Sequence, residues 1–405
     1  MAGRLVIVGA GQAAFAMAAK LRSLGDNRPI LMLGNESVLP YQRPPLSKKY
    51  LLGEMDFDRL LYRPEAWFAD HHVEVRLGVT VESIDRDARA VLLEGGERIA
   101  YETLALATGS TPRRLPAAAG GDLKGIHTMR SKDDADRLAG EMRAGRRLLV
   151  IGGGYIGLEA AAVARKLGLE VTVIEMAPRI LQRVAAPETA RLMREIHESH
   201  GVVIREATGL TRLIGTDGHV SGAELADGTV LPVDIVIAGI GVTANDQLAA
   251  AAGLETANGI VVDEFARTAD PAIFAAGDCT VLPWRGARIR LESVQNAIDQ
   301  AEAAASTMAG GTEPYDAQPW FWSDQYDVTL QIAGFNLGYD ETILRPGLKE
   351  GTWSVWYYRE GRFIAVDAIS DARAYVAGKK MLAMGINPDR TIIADPQSDL
   401  KAMLR

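Results

Sequence analysis

The sequence predicts an α/β chain built from two doubly wound dinucleotide-binding folds and a smaller C-terminal α+β domain. Two glycine-rich turns, Gly9–Ala14 and Gly152–Gly157, each set between a strand and a helix, carry the first part of that reading. The third observation is a change of composition after Gly310–Gly311, where aromatic residues crowd into alternating patterns.

The elements follow in order. Arg4–Val8 is an apolar run of strand type, Gly9–Gly11 breaks it, and an alanine-rich helical stretch continues to Leu24. Pro29–Leu33 reads as the next strand, giving a βαβ opening. The same grammar returns at Arg147–Ile151, Gly152–Gly157, a helix to about Leu167 and a strand at Val171–Glu175, so two nucleotide sites are expected. Three apolar strands end in small residues: Tyr101–Gly109 in Thr108-Gly109, Val233–Gly241 in Gly241, and Ala272–Asp278 in Gly277-Asp278. Such ends let backbone approach a flat ligand closely. In the tail, Trp320, Trp322, Trp353, Trp356, Tyr357 and Tyr358, with the alternation of "WSVWYYREGRFIAVDAI", predict an antiparallel sheet.

Composition narrows the class. A chain of 405 residues is too long for one core, and 48% hydrophobic with 24% charged residues is ordinary for a globular protein. No apolar stretch of about 18 residues is free of charge, which argues against a membrane span. Met1–Leu5 runs straight into a strand and leaves no room for a cleavable signal segment, so a cytoplasmic location is expected. A formal net charge of -8 opposes general nucleic-acid binding. Cys279 is the single cysteine, which excludes a disulfide framework within the chain. With no CxxC and no Cys/His cluster, no metal or iron–sulfur cluster is expected on this chain.

In the first fingerprint Gly9 allows the tight turn, Gly11 lets backbone meet a pyrophosphate, and Ala14 permits close helix–strand packing. The ribose acid due about 20 residues later is displaced. Gly34 or Asn35 occupies its position and Glu36 comes late, leaving Asn35 and Glu36 as candidates. In the second fingerprint, Gly152, Gly154, Tyr155, Ile156 and Gly157 form the turn, and its partner strand ends on Glu175. A carboxylate there accepts ribose hydroxyls and repels a 2'-phosphate, favouring NAD over NADP; Arg179 and Arg183 just beyond oppose that choice.

Seven motifs together carry a resemblance over nearly the whole chain: "VIVGAGQAA", "PPLSKKYL", "LALATGS", "VIGGGYIGLE", "AAGDC", "ESVQNA" and "PWFWSDQY". The chain resembles the flavoproteins of the glutathione-reductase plan. It is most similar to ferredoxin reductases of the putidaredoxin reductase type, which serve bacterial cytochrome P450 systems; rubredoxin reductases and aromatic-ring dioxygenase reductases are close relatives. The resemblance implies FAD on the first fingerprint and NADH on the second. It implies domains at 1–111 and 243–312 for FAD, 112–242 for NAD, and 313–405 for the C-terminal interface. It assigns Ala13, Asn35, Val81, Arg130, Asp278 and Val294 to FAD, and sets Arg43, Lys48 and Trp322 beside the isoalloxazine. Glu159 matches an acid near the nicotinamide that pairs with the lysine, and Tyr155 is expected to move aside when the nicotinamide enters.

One cysteine cannot relay electrons as a dithiol, and His219 is the last histidine, so the tail offers no acid for disulfide chemistry. The reading is therefore hydride transfer from NADH to FAD, then single electrons to an acidic [2Fe–2S] ferredoxin and on to a P450. Arg285, Arg288 and Arg290, or Arg373, Lys379 and Lys380, supply a basic face for it. The alternatives are a dioxygenase or rubredoxin reductase, an NADH oxidase, and an NADH-sensing module resembling apoptosis-inducing factor.

Overall fold

The computed structural model describes residues 3–404. Met1 and Ala2, on which part of the signal-segment expectation rests, lie outside the described residues, as does Arg405. The chain divides into two compact units: Met1–Gln42, Phe57–Thr111 and Val242–Pro319 form one, and Arg43–Asp56, Pro112–Gly241 and Trp320–Arg405 the other.

The first unit is organised by a parallel five-stranded sheet. Its order is Ile273–Ala275, Thr103–Leu106, Leu5–Val8, Ile30–Leu33, Val73–Arg76. Every residue of its three central strands is buried, the reason these segments read as continuous apolar runs rather than alternations. Helix Gln12–Ser23 turns Ala13, Ala14, Ala16, Met17, Ala18 and Leu21 inward and packs on helix Val294–Met308, which meets it with Ala297, Ala301, Ala304 and Ala305. Small side chains on both helices allow close approach of their backbones. A three-stranded antiparallel sheet, Val81–Asp85, Ala90–Leu93 and Arg98–Ala100, completes the architecture that bears on the site.

The second unit repeats the parallel plan in the order Val203–Arg205, Glu170–Ile174, Arg147–Ile151, Ile235–Ala238, Ile126–His127. In both sheets the first strand of the βαβ unit lies centrally, with the return strand on its other side. That reversal is where doubly wound folds open a crevice at the strand ends.

The tail forms an antiparallel sheet, Trp320–Gln325, Val328–Gly334, Arg362–Ile369, Trp353–Arg359, Glu341–Pro346. Its central hairpin turns on Glu360 (φ 50°) and Gly361 (φ 72°), two successive left-handed residues whose twist suits a two-residue connection. Helix Ala372–Met384 covers the sheet, and Trp356, Tyr358, Phe363, Val366, Met381 and Ile393 fill the space between. Arg345, 4% exposed, ties down the last segment through the carbonyls of Ile393, Asp395, Pro396 and Ser398 and the Ser398 hydroxyl. Among the described residues, no helix is long and apolar enough to cross a membrane.

Candidate active site

The two fingerprints build the same turn. Gly9 donates its N–H to Leu33 O (2.7 Å), and Gly152 donates to Ile174 O (2.8 Å). Gly9 has φ 119°, and a Cβ there would lie 2.2 Å from Ala107 O; Gly152 has φ 104°, and its Cβ would lie 2.4 Å from Gly239 O. The small residues ending Thr103–Leu106 and Ile235–Ala238 are therefore the floors on which these turns sit. A Cβ on Gly157 would strike Gly152 O at 2.3 Å, whereas the equivalent Ala14 is tolerated and buried.

These turns fit a dinucleotide on three counts. Helices Gln12–Ser23 and Tyr155–Lys166 begin at Gly11 and Gly154 with no capping side chain, and neither has an acid in its first turn. Their N-terminal N–H groups and positive dipole ends are thus open to a pyrophosphate. A Cβ on Gly154 would meet nothing within 4 Å, so backbone there faces open space. Ile156, 45% exposed, presents its side chain beside that opening.

The strand ends explain the displaced acid. Glu175 N–H bonds Arg205 O, and Gly34 N–H bonds Arg76 O, so Gly34 holds the position that Glu175 holds. A Cβ on Gly34 would come 2.5 Å from the Ala10 Cβ, which leaves no room for a carboxylate. Glu36, two residues on, is half-buried and accepts from the Tyr41 hydroxyl (2.6 Å), while Asn35 is exposed. The Glu175 carboxylate accepts from Gly153 N–H and Ala177 N–H, both at 2.7 Å. Two backbone bonds aim it and leave further lone pairs on both oxygens. Arg183 is exposed, and Arg179 is half-buried, its Nη1 without a hydrogen-bond partner among the described residues.

In the first unit, Gly277 (φ 88°) brings several candidates together: a Cβ there would contact Ala13 at 3.3 Å and Ala297 at 3.6 Å. Asp278 follows and accepts from Ser110 (3.1 Å). Val294 opens helix Val294–Met308, whose cap Ser293 accepts from Asn296 N–H (3.1 Å). The turn is fastened by Gln300, whose Oε1 accepts from Gly277 N–H and the Thr280 hydroxyl, both at 2.9 Å. Thr108 and Gly109 are fastened by Asn245, through Thr108 Oγ1 to Asn245 O (2.6 Å), Asn245 Nδ2 to Thr108 O (2.8 Å) and Asn245 N–H to Gly109 O (2.9 Å). Val81 begins its strand just after Gly78 and Val79, whose N–H groups bond Glu36 O and Gly34 O, so it lies near Asn35 in the fold.

Arg43, Lys48, Arg130 and Trp322 belong to the second unit. Arg43 Nη1 donates to Arg130 O (2.9 Å). Glu159, 3% exposed on helix Tyr155–Lys166, is the centre of a polar cluster. Lys48 Nζ lies 3.2 Å from Oε1, the Ser47 hydroxyl donates to Oε2 (2.7 Å) and the Ser323 hydroxyl to Oε1 (2.7 Å). Burial pushes the Glu159 carboxyl above its ordinary value, against the opposing pull of Lys48, Ser323 and Ser47. Lys48 also lies 3.8 Å from Asp324 and 5.8 Å from the Trp322 ring centre. Tyr155 stacks at a tilt on Phe321 (4.7 Å), and its buried hydroxyl has no partner among the described residues. Gly241 (φ 94°) stands in open space.

Sequence reasoning missed Ser47, Ser323, Gln325, His197, Asn245 and Gln300. The signal for Ser47 and Ser323 was present: each neighbours a singled-out residue, Lys48 or Trp322. Asn296 and Gln300, four apart on one helix face within "ESVQNAIDQ", were legible as a buried polar pair. His197 and Gln325 are distant in sequence and gave none.

The fold and these turns define a protein with two dinucleotide-binding domains, each carrying its own glycine-rich phosphate turn. The chain belongs to the pyridine nucleotide-disulphide oxidoreductase family, whose model matches residues 3–301, and a reductase C-terminal model matches residues 320–404. It is 43% identical to a ferredoxin–NAD(P)+ reductase of a Sphingomonas species, over 98% of this chain and 96% of that protein. Among solved structures it is similar to putidaredoxin reductase in its covalent complex with putidaredoxin (TM-score 0.96, 37% identity, 99% of this chain and 98% of that one). It is equally similar to the ferredoxin reductase for the CYP199A2 system from Rhodopseudomonas palustris (TM-score 0.96, 40% identity, 99% and 100%). The protein is an oxidoreductase that uses FAD and a pyridine nucleotide.

Proposed function

We propose that this chain is a cytoplasmic NADH-dependent reductase that delivers single electrons to a small acidic [2Fe–2S] ferredoxin, which in turn supplies a cytochrome P450. The observation that carries the reading is the state of its only cysteine. Cys279 is 0% exposed, and its thiol is directed at the carbonyls of Leu106 and Ala276. A family named for disulphide chemistry here has no thiol pair to relay electrons, so they must leave to an outside carrier. Bound FAD supplies the conversion of a two-electron donor into single-electron deliveries.

The chain's own residues are assigned as follows. Gly9, Gly11, Ala13 and Ala14 hold the FAD pyrophosphate at the first helix, with Asn35, Val81, Thr108, Gly109, Gly277, Asp278 and Val294 around the same nucleotide. Gly152, Gly154, Tyr155, Ile156, Gly157, Glu175 and Gly241 hold NADH, and Arg183 is the weakest of that set because it is exposed. Lys48, Glu159 and Trp322 serve the redox site, with Arg43 and Arg130 as further FAD contacts. Segments 1–111 and 243–312 thus serve FAD, 112–242 serves NADH, and 313–405 the partner. Helix Ala372–Met384 supports the last assignment. It carries Arg373, Lys379 and Lys380 and no acid; Arg373, Lys380, Val376 and Met384 are exposed, and Lys379 lies 4.2 Å above the Trp320 ring. Arg288 and Arg290 are paired with Glu255 and Glu292, so the tail helix is the better docking face.

Anaerobic stopped-flow tests the reading. NADH bleaches the flavin before any acceptor is added, and NADPH does so at least about tenfold more slowly. Ferredoxin reduction then falls as salt rises while flavin reduction stays nearly flat. Equal rates with the two nucleotides remove the Glu175 argument. A panel of ferredoxins, rubredoxin and oxygen separates the P450-type reductase from the dioxygenase, rubredoxin and oxidase readings.

A further inference from the structure

The carboxylate of Glu159 is the end of a buried chain of side chains in the second unit. Ser323, 0% exposed, donates to Glu159 Oε1 at 2.7 Å, and Gln325 Nε2 donates to Ser323 Oγ at 3.0 Å. Gln325 Oε1 meets His197 Nε2 at 2.6 Å, and His197 Nδ1 meets the Tyr326 hydroxyl at 3.2 Å. Gln325 is 1% exposed and His197 0%. Tyr326 closes the chain in a left-handed turn (φ 58°), its ring edge-on to His197 (5.2 Å) and stacked on His200 (3.7 Å).

The chemistry of the end group fixes the direction of every link. An ionised carboxylate only accepts, so the Ser323 hydroxyl must donate to it. With its one proton committed, Ser323 Oγ accepts, and the Gln325 amide must offer its NH2 there. Gln325 then presents its carbonyl to His197, which must carry its proton on Nε2. His197 Nδ1 is left as an acceptor, and Tyr326 donates to it. All four bonds donate toward Glu159, so each strengthens the next.

We propose that His197 and Gln325 are positioning residues that hold Glu159 as a carboxylate, and with it the place of Lys48, through this one-directional chain. The inference rests on the reading of Lys48 and Glu159 as working residues of the oxidoreductase. It goes beyond that reading in assigning a role to a histidine and an amide outside the residues assigned above to either nucleotide. Burial pushes His197 down to about 4, so the ring stays neutral and keeps the tautomer that the chain requires. The charged and titratable groups facing this carboxylate are few. Lys48 comes from the Pro44–Ser47 turn and its following residue, Asp324 acts through Lys48 from strand Trp320–Gln325, and Tyr155 lies on the same helix. His197 lies at the far end, on helix Pro187–Ser199.

Two measurements on the FAD-loaded protein test the proposal without reading turnover. Long-range 1H–15N NMR of histidine-labelled protein, with His197 assigned by His197→Gln, shows a neutral ring protonated on Nε2; a neutral ring protonated on Nδ1 overturns the proposal. Infrared pH titration, with the Glu159→Gln spectrum subtracted, follows the protonated carboxyl band of Glu159. His197→Leu and Gln325→Leu each raise the pH at which that band appears by about half a pH unit or more, and Ser323→Ala by about one. His197→Gln, whose amide donates from the same place, restores the wild-type position. A band that titrates alike in wild type and in the leucine variants overturns the proposal. If the buried leucine variants do not fold, the half-exposed Tyr326→Phe still decides the matter: the Gln325 carbonyl keeps the neutral His197 ring protonated on Nε2 without the Tyr326 hydroxyl, and a switch to the Nδ1–H form refutes a chain directed from Glu159. NADH bleaching of the flavin is recorded separately, so failure of the chain and failure of the reductase reading give different results.

Discussion

Asp367→Asn is the sharpest test of the energetics of the second unit. Asp367 is 0% exposed in strand Arg362–Ile369; its Oδ2 accepts from the Thr189 hydroxyl (2.7 Å) and from the Tyr357 hydroxyl, and its Oδ1 has no partner among the described residues. Burial raises its carboxyl from 3.8 to about 7, while the Tyr357 and Thr189 hydrogen bonds oppose that rise. A raised folded-state value means that the folded chain binds the proton more tightly than the unfolded one. Its stabilising contribution is complete below pH 3.8 and is lost as pH rises through about 7. At about 1.4 kcal/mol per pH unit, the full loss is about 4 kcal/mol, of which about 3 kcal/mol falls between pH 5 and pH 8. Asparagine keeps a carbonyl for both hydroxyls and never ionises. Urea unfolding, followed through Trp320, Trp322, Trp353 and Trp356, should therefore show the variant gaining about 3 kcal/mol on wild type between pH 5 and pH 8. Parallel pH–stability curves for the two proteins, or a gap that closes as pH rises, would falsify the assignment of a buried, proton-holding Asp367.

Three further outcomes follow from particular contacts. Glu175→Ala removes both the carboxylate that repels a 2'-phosphate and the acceptor for Gly153 and Ala177. NADPH efficiency rises relative to NADH by about tenfold or more, while NADH efficiency itself falls; steady-state kinetics with both nucleotides reads the ratio. Gly9→Ala places a Cβ 2.2 Å from Ala107 O at a φ of 119°. The strain is on the order of 2–4 kcal/mol, and the protein purifies with a lowered ratio of flavin to protein absorbance. Arg345→Met leaves the carbonyls of Ile393, Pro396 and Ser398 without their arginine donor and takes one of its donors from Asp395 O, at a cost of about 3–5 kcal/mol. Limited proteolysis then cuts first within 390–404, and cleavage beginning elsewhere contradicts the role given to Arg345.

Much of the fold was legible because its signals are local. Arg147–Ile151 reads as a strand from its apolar run and is one, and the helix expected to end near Leu167 spans Tyr155–Lys166 with Leu167 as its cap. Tyr357 and Tyr358 read as members of an aromatic strand and are both fully buried, Tyr358 in the tail's core and Tyr357 on the other face against Ala186. The segment 43–56 is a different case. Its Pro-Pro turn was visible, but its membership in the second unit depends on contacts such as Ser47 with Glu159 and Tyr50 with Asp136, 112 and 86 residues apart. Nothing within 43–56 encodes those partners.

The first and second fingerprints show most clearly where local reading stops. On sequence, the missing acid after Leu33 was an irregularity with two candidate substitutes. In the fold it has one cause: Ala10, inside the first fingerprint, lies where a Gly34 side chain would start, whereas the corresponding residue of the second fingerprint is Gly153, which leaves Glu175 its place and donates to it. A single methyl group at position 10 thus decides where the first unit can carry an acid, and the decision passes between two strands that are adjacent in space and 24 residues apart in sequence. Ala10→Gly with Gly34→Glu would recreate the second arrangement in the first unit, while Gly34→Glu alone meets the Ala10 Cβ at 2.5 Å. The double variant should recover more folded, FAD-binding protein than the single one, measured by flavin content and thermal midpoint. Equal loss in both would mean that Gly34 is kept for some reason other than the room taken by Ala10.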